Sequence, residues 1–168
     1  MIEHGFEVIE HITERIGHGA EIAHQLREDF ESKNDELPLI VAVGGDGIVH
    51  EVASGLRGST IPLGQIPFGS GNDCCITHGI SRDNLNQAID VLVNGVDRSC
   101  GAWRLEGFAA PTLDGYPSPP SNHWDGEASN EGRTVRWVFL ESDAGITSEI
   151  SRAKLRRAKW IKGPKKYT

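Results

Sequence analysis

The sequence lacks three features that would assign it directly to a familiar class of protein. It has no apolar run of membrane-spanning length and no recognisable signal peptide. Its three cysteines, Cys74, Cys75 and Cys100, are too few and too oddly spaced for a disulfide framework. No Cys-x-x-Cys pair or Cys/His cluster has the spacing of a zinc site. We therefore expect a reduced, cytoplasmic protein without a protein-held metal centre.

Acidic residues are absent from the last part of the sequence, although the chain as a whole is acidic. Residues 151–168 carry eight basic side chains and no acidic one, whereas the formal net charge of the chain is −7. Such a segment suits phosphates, an anionic membrane surface or nucleic acid, and it is equally typical of a solvated helix face. Nucleic acid is the least favoured partner, because few aromatic side chains are interleaved with the charges.

Apolar periodicity alternates between strand and helix along the chain. It predicts strands at 6–12, 37–43, 62–66, 96–105 and 134–140, and helices at 18–30, 48–56, 72–78, 85–93 and 145–160. This alternation indicates an α/β fold with a mainly parallel sheet and helices on both faces. Residues 106–133 are rich in proline, glycine and small polar residues without periodicity, which indicates a loop or disordered insert. We expect one nucleotide-binding lobe formed by residues 1–105 and 134–168.

Two glycine-rich turns follow two of the predicted strands. The apolar run at 39–43 leads into Gly-Gly-Asp-Gly at 44–47, and the strand at 62–66 leads into Pro-Phe-Gly-Ser-Gly-Asn-Asp at 67–73. Glycine lets the backbone approach an anion closely, and the free N–H groups at the start of a following helix point toward it. Ligands of open α/β sheets bind at the carboxyl ends of the strands, so both turns are expected to line one nucleotide cleft.

The two motifs together resemble the catalytic domain of the diacylglycerol kinase and sphingosine kinase superfamily. That family has a GGDGT or SGDGL turn, a helix carrying Glu-Val and Asn-Gly-Leu, and a PxGTGN or PxGSGN turn. The corresponding residues here are Gly44-Gly45-Asp46-Gly47, His50-Glu51-Val52, Gly55-Leu56 and Pro67-x-Gly69-Ser70-Gly71-Asn72-Asp73. Upstream, Thr13-Glu14-Arg15 followed by His18 resembles a Thr-Glu-x-x-x-His-Ala segment of the family. NAD kinases share the first motif but resemble the second less.

Small differences within the motifs bear on the branch of the family. The aliphatic Ile48 and the neighbouring His50 look more like the sphingoid-base kinases than the bacterial lipid kinases. Ser54 and Cys74 depart from the usual pattern, which has asparagine and alanine at these places. Neither departure changes the chemistry of the two turns, so the family resemblance stands.

The resemblance implies an ATP-dependent lipid kinase that uses Mg²⁺. It implies a catalytic role for Asp46, as the carboxylate that orients or deprotonates the lipid hydroxyl or helps to hold Mg²⁺. The residues that it implies in nucleotide binding are Thr13, Gly44, Gly45, Gly47, Glu51, Gly69, Ser70, Gly71, Asn72, Arg156 and Arg157.

Each of the polar residues in that set also has an ordinary structural explanation. An aspartate in a turn commonly bonds its own backbone, and an acid such as Glu51 is favourable near a helix N-terminus. Thr13 and Asn72 are ordinary cap residues, and arginines at 156 and 157 suit an exposed helix face. For the polar residues, residue type alone therefore leaves function and local structure as alternatives.

Family members also contain parts that are not recognised in this sequence. They begin with a strand and an Asn-Pro-x-Ser-Gly-like loop, and they end with a mostly β domain that forms the lipid pocket. We therefore expect a truncated chain without the C-terminal β domain, and two functions stay open. One is a kinase that phosphorylates the primary hydroxyl of a sphingoid base or diacylglycerol, in peripheral contact with an intracellular membrane. The other is a catalytically inactive nucleotide-binding or interaction module; the acceptor lipid and the oligomeric state are unknown.

Overall fold

The computed structural model describes residues 5–33, 38–108, 126–128 and 133–139. Within these ranges the chain forms four helices and five strands: α1 (His18–Lys33), β1 (Ile40–Gly44), α2 (Asp46–Gly55), β2 (Leu63–Pro67), α3 (Asp73–Thr77), α4 (Leu85–Asn94), β3 (Trp103–Phe108), β4 (Gly126–Ala128) and β5 (Arg133–Val138). The helix predicted at 145–160, which would carry Arg156 and Arg157, lies outside the described residues.

The centre of the fold is a parallel pair of strands with a helix on each face. β1 pairs with β2 in register from Ile40 opposite Leu63 to Gly44 opposite Pro67, so both strands end at the same edge. On one face, Ala42 of β1 packs into the core beside α2. On the other face, a side chain at position 64 would collide with Leu92 of α4. The predicted α/β arrangement is confirmed in these elements.

The core lies mainly between β1, β2 and α2, and α1 packs on the outside of α2. Its buried members are Ala23, Ala42, Val49, Val52, Leu56, Ile61 and Cys74. Full burial of a valine contributes about 1.5–3 kcal/mol, so two valines one turn apart fix the inner face of α2. The α1–α2 contact depends on small residues, because a side chain at Gly55 would collide with the carbonyl of Ala20. In the described part of the chain, no helix combines the length and the apolar character needed to cross a bilayer.

A second, antiparallel sheet contacts the α2 region through two pairs of side chains. Its strand order is β3-β5-β4, with β5 in the centre. The His50 ring lies edge-on to the ring of Phe139 at 6.0 Å between centroids, and the Arg57 guanidinium lies 5.0 Å from the ring centre of Trp137. These contacts connect the end of β5 to the middle of α2 and to the residues just after its carboxyl end. The sequence did not predict this sheet, since β4 lies inside the segment interpreted as an irregular insert.

Three of the predicted strands differ from the observed ones. The strand predicted at 6–12 is wrong: these residues form no ladder with any described strand, and Val8 and Ile9 are 54% and 72% exposed. The strand predicted at 37–43 is observed at Ile40–Gly44, and its apolar residue Val43 is 60% exposed. Alternating apolar residues predict an extended backbone well, but burial and pairing depend on neighbours that are distant in sequence. The strand predicted from residue 96 begins only at Trp103.

Candidate functional site

The two glycine turns are in direct backbone contact at the carboxyl edge of the parallel strands. The N–H group of Phe68 donates to the carbonyl of Gly44 at 2.9 Å. A Cβ atom on Gly45 would lie 3.2 Å from Cα of Gly69, and a Cβ atom on Gly69 would lie 3.0 Å from the backbone nitrogen of Gly45 and collide with its Cα. Glycine is required at 69 for this approach, and a side chain at 45 would be tight. The turns therefore form one site, as the parallel register requires.

Helix α2 begins at the first turn with its backbone donors available. Gly45 occupies the N-cap position with an extended backbone (φ −93°, ψ −174°), and no side chain caps the helix. Its carbonyl accepts the N–H groups of Ile48 and Val49, so the first intrahelical bonds are made. The N–H groups of the first turn then face outward with the positive end of the helix dipole, an arrangement that favours an anion.

The carboxylate of Asp46 bridges the two turns. Its Oδ1 atom accepts a hydrogen bond of 2.9 Å from the backbone N–H of Cys74, in the first turn of α3. Its Oδ2 atom lies on the side of Gly71, 3.1 Å from the place where a Cβ of that residue would be. No described residue donates a hydrogen bond to Oδ2. One oxygen thus anchors the side chain, and the other is open to a ligand.

A second carboxylate, that of Asp73, faces the same point. Its Oδ2 atom lies 3.4 Å from the Cβ position of Gly71, on which Asp46 also converges. Asp73 is the last residue of the second motif, and this position is the sequence signal for its role, although it is not among the site residues predicted above. Among the described residues no group of three or more metal-binding side chains occurs, so these two acids are the oxygen donors that this site offers.

The two cysteines that follow are part of the packing beneath the site. Burial, and next the charge of Asp46, raises the pKa of the Cys74 thiol to about 11. The same two causes raise the pKa of Cys75, whose Sγ donates to the carbonyl of Asn72 at 2.9 Å. Both thiols are therefore protonated near neutral pH, and neither has the character of a nucleophile.

Asn72 shapes the second turn from inside. It is buried, it adopts a left-handed backbone (φ 60°, ψ 40°), and its side chain makes two bonds to Gly69: N–H to Oδ1 at 2.8 Å, and Nδ2 to the carbonyl at 3.0 Å. Asparagine tolerates this backbone region better than most residues. Asn72 occupies the N-cap position of α3, as predicted, but its side chain makes no cap bond and is turned back to Gly69. A direct nucleotide contact from Asn72 stays a prediction.

Glu51 connects α2 to the beginning of α1. Its Oε2 atom accepts the backbone N–H of Gly19 at 3.1 Å, and so satisfies one donor of the first turn of α1. Ile48 fills the neighbouring space, because side chains at Gly44 and at Gly19 would both meet it. Through these contacts the first glycine turn and the start of α1 are packed on the same helix.

The segment before α1, which contains Thr13, is exposed and locally bonded. Arg15 pairs with Glu21 of α1 with 2.7 Å between Nη1 and Oε1, and the N–H of Glu14 donates to Nδ1 of His18 at 3.1 Å. Thr13 itself is exposed. This segment is attached to the helix whose first turn contacts Glu51, and a nucleotide contact from Thr13 stays a prediction.

We expect Glu51→Ala to destabilise the fold by about 1 kcal/mol, because it leaves the N–H of Gly19 without its partly buried acceptor. Glu51→Gln keeps a carbonyl oxygen for that bond and should cost about half as much. Urea denaturation of the two variants and the wild type measures both effects. Equal stability of all three proteins, together with weakened nucleotide binding in both variants, would reverse this assignment and make Glu51 a ligand contact.

Most of the residues expected at the nucleotide site do come together. Those at or between the two turns are Gly44, Gly45, Asp46, Gly47, Gly69, Ser70, Gly71 and Asn72. Ser70 is exposed and lines a pocket beside the second turn. Glu51 and Thr13 lie on the side of α1, and Arg156 and Arg157 lie outside the described residues.

The chain is similar to several curated lipid kinases over the part that carries both turns. It is 34% identical over 105 residues to the diacylglycerol kinase of Bacillus subtilis (strain 168), a match that covers 61% of this chain and 33% of that protein. It is 32% identical over 95 residues to a diacylglycerol kinase of Mycobacterium tuberculosis, covering 56% and 30%. It is also 34% identical over 91 residues to sphingoid long-chain bases kinase 1 of Arabidopsis thaliana, covering 50% and 11%.

These relatives are longer proteins, and they carry two different names. The chain spans at most about a third of the length of these three relatives. Because both diacylglycerol kinases and a sphingoid base kinase match, similarity alone does not choose an acceptor lipid. The family model described as the diacylglycerol kinase catalytic domain matches residues 1–104, which is more than half of the chain and includes both turns. The chain belongs to the diacylglycerol kinase catalytic domain family.

Proposed function

We propose that this chain is the nucleotide-binding lobe of an ATP-dependent lipid kinase, which transfers the γ-phosphate of ATP to a primary hydroxyl of a sphingoid base or a diacylglycerol. One observation supports this proposal above all. The backbones of the two glycine turns touch at Gly45 and Gly69, and the carboxylate of Asp46 lies between them with one oxygen open. Family membership supports the same class of reaction.

The phosphates of ATP would bind where backbone donors are exposed. The start of α2 has no side-chain cap, and at Gly47 no atom lies within 4 Å of the place where a Cβ would be, which leaves room for a close approach. At the second turn, the N–H of Gly69 is already bonded to Asn72, so Ser70 and Gly71 are the residues of that turn left to contact phosphate or nucleotide. Phosphoryl transfer depends mainly on such positioning and charge stabilisation.

Asp46 would act on the acceptor hydroxyl. The lipid oxygen attacks the γ-phosphorus, the bond from that phosphorus to the bridging oxygen breaks, and ADP leaves with the electron pair. The hydroxyl proton passes to Oδ2 of Asp46, while Oδ1 stays bonded to the N–H of Cys74 and holds the carboxylate in place. The side chain is thus oriented before substrate binds.

The residues present fit a Mg²⁺ ion that is shared with the nucleotide. Asp73 directs its Oδ2 atom toward the point above Gly71 and would supply the carboxylate that holds the ion, while Oδ2 of Asp46 stays available as the base. Mg²⁺ is usually held by one or two carboxylates together with substrate phosphates. A bound Mg²⁺ would neutralise charge on the transferring phosphate. A site with a single protein carboxylate predicts weak metal binding in the absence of nucleotide.

The lipid acceptor implies a peripheral encounter with a membrane surface, where such substrates reside. The alternative function is a nucleotide-binding module without turnover, for which the contact between the two glycine turns is sufficient. The two functions differ in one measurable respect. Both predict nucleotide binding, and only the first predicts transfer.

Transfer of labelled γ-phosphate from Mg·ATP to diacylglycerol and, in parallel, to sphingosine in mixed micelles tests the proposal. We expect label on one of the two lipids, which also identifies the acceptor class. Nucleotide binding without label on either lipid would establish the non-catalytic module for this chain. Absence of both binding and transfer would reject both functions.

A further inference from the structure

A pocket lies beside the second glycine turn, and the reaction proposed above does not involve all of the residues that line it. Its volume is about 430 Å³, which is within the usual range for sites that bind small molecules. It is lined by Pro67, Phe68, Gly69, Ser70, Asn72, Arg82 and Asp83. Two of these, Arg82 and Asp83, come from the connection between α3 and α4, which the sequence motifs do not include.

Arg82 is a cation at this pocket without a counter-charge in direct contact. Among the described residues it forms no ion pair and donates no hydrogen bond to a side chain or a carbonyl. By contrast, Arg15 and Arg27 are each bound to a glutamate of α1. The positive charge of Arg82 also acts on α3. It favours a lower pKa of the Cys75 thiol, although burial raises that pKa overall. A planar guanidinium that is not paired with any described residue is suited to bidentate binding of a phosphate.

The connection that presents Arg82 is held on both sides. Before it, Ile80 is buried and its N–H donates to the carbonyl of Cys75 at 2.8 Å. The side chain of Gln87 then ties the connection to α4, because its Oε1 accepts the N–H of Ser81 at 2.9 Å and its Nε2 donates to the carbonyl of Gly79 at 3.3 Å. The backbone at residue 82 is therefore fixed relative to the second turn, which limits the entropy lost when a ligand binds.

The other walls indicate what a phosphate in this pocket would be attached to. Phe68 is 84% exposed and offers an apolar, planar surface beside the turn. Ser70 and Asp83 offer a hydroxyl and a carboxylate, which bind hydroxyl or amino groups of a ligand. Such walls suit a phosphorylated molecule with an apolar or aromatic body and further polar groups. Both a nucleotide and a phosphorylated lipid have this chemistry.

We propose that Arg82 binds a phosphate group of substrate or product in the pocket between the second glycine turn and the α3–α4 connection, with Phe68 as its apolar wall. This inference rests on the proposed function, because the kinase reaction supplies both kinds of phosphorylated ligand. It adds a charged residue from outside the two motifs to the site. It also gives the exposed ring of Phe68 a role in ligand contact.

Equilibrium binding to the intact chain tests this inference without requiring turnover. The probes are inorganic pyrophosphate, Mg·ADP and a short-chain phosphatidic acid below its micelle-forming concentration. The variants are Arg82→Gln, Arg82→Lys and, as the matched control, Arg98→Gln, which removes the same charge from an exposed position that does not line the pocket. Unfolding midpoints of all four proteins check that the fold is unchanged.

We expect Arg82→Gln to lower the affinity for at least one phosphorylated probe by about tenfold. Arg82→Lys should lower that affinity less, and Arg98→Gln should bind all probes as the wild type does. If Arg82→Gln loses affinity for Mg·ADP alone, the ligand is the nucleotide. If it loses affinity for phosphatidic acid alone, the ligand is the lipid product. Unchanged binding in Arg82→Gln, equal losses in Arg82→Gln and Arg98→Gln, or no binding of any probe to the wild type would each overturn the inference. Failure of the proposed function is seen separately, as absence of transfer to either lipid.

Discussion

Asp46→Asn is expected to lower the rate of phosphoryl transfer by about 10²–10⁴-fold, the usual contribution of a general base. The physical reason is that the amide of asparagine cannot take the hydroxyl proton. The amide oxygen can still accept the N–H of Cys74, so the bridge between the two turns is kept. Affinity for Mg·ADP should change little, since the glycine backbones are untouched. Transfer of labelled phosphate measures the rate, and equilibrium binding on the same preparation measures the affinity for Mg·ADP.

Asp46→Ala is the matched comparison, because it removes both the base and the acceptor. It should lose as much activity as Asp46→Asn and, in addition, about 1 kcal/mol of stability, the usual cost of losing a cap at the start of a helix. The difference between the two variants in urea denaturation isolates the hydrogen bond to Cys74. Transfer by Asp46→Asn at the wild-type rate would remove Asp46 from the proposed mechanism and leave it a purely structural bridge.

The main features of the site follow from short-range patterns, which is why the sequence predicts them. An apolar run that ends in glycines, followed by a helix, occurs twice, and parallel strands end at one edge of a sheet. These two patterns alone place the turn at 44–47 beside the turn at 67–73. The register of β1 and β2 and the contact between Gly45 and Gly69 agree with it. Glycine is informative here because close backbone approach excludes every other residue.

The features that the sequence did not predict depend on contacts between distant segments. Glu51 bonds Gly19, thirty-two residues away, and nothing in the local pattern around Glu51 indicates that partner. Asn72 has the residue type and position of a helix cap, but its left-handed backbone turns the side chain toward Gly69. Arg82 belongs to no motif and becomes relevant only because the connection after α3 folds back beside the second turn. In each case residue type limits the possible roles of the side chain, and tertiary contacts determine which role it has.

Gly69→Ala is expected to destabilise the fold by about 3 kcal/mol, at the upper end of the usual cost of overpacking. An added Cβ would collide with the backbone of Gly45 and lie 2.7 Å from Oδ1 of Asn72. Backbone atoms of a strand end cannot move aside as a flexible side chain would, so the two turns must separate. Mg·ADP binding should be lost together with this contact, and urea denaturation with parallel binding measurements detects both changes.

Gly47→Ala provides the contrast within the same site. A Cβ at this position meets no atom within 4 Å, and alanine is a better helix former than glycine by up to about 1 kcal/mol. The fold should therefore be as stable as the wild type or slightly more stable. If Gly47→Ala nevertheless weakens Mg·ADP binding, the glycine at 47 is required by the ligand, whereas the glycine at 69 is required by the fold. Wild-type stability in Gly69→Ala would contradict the close contact between the turns, and with it the geometry on which the proposed function depends.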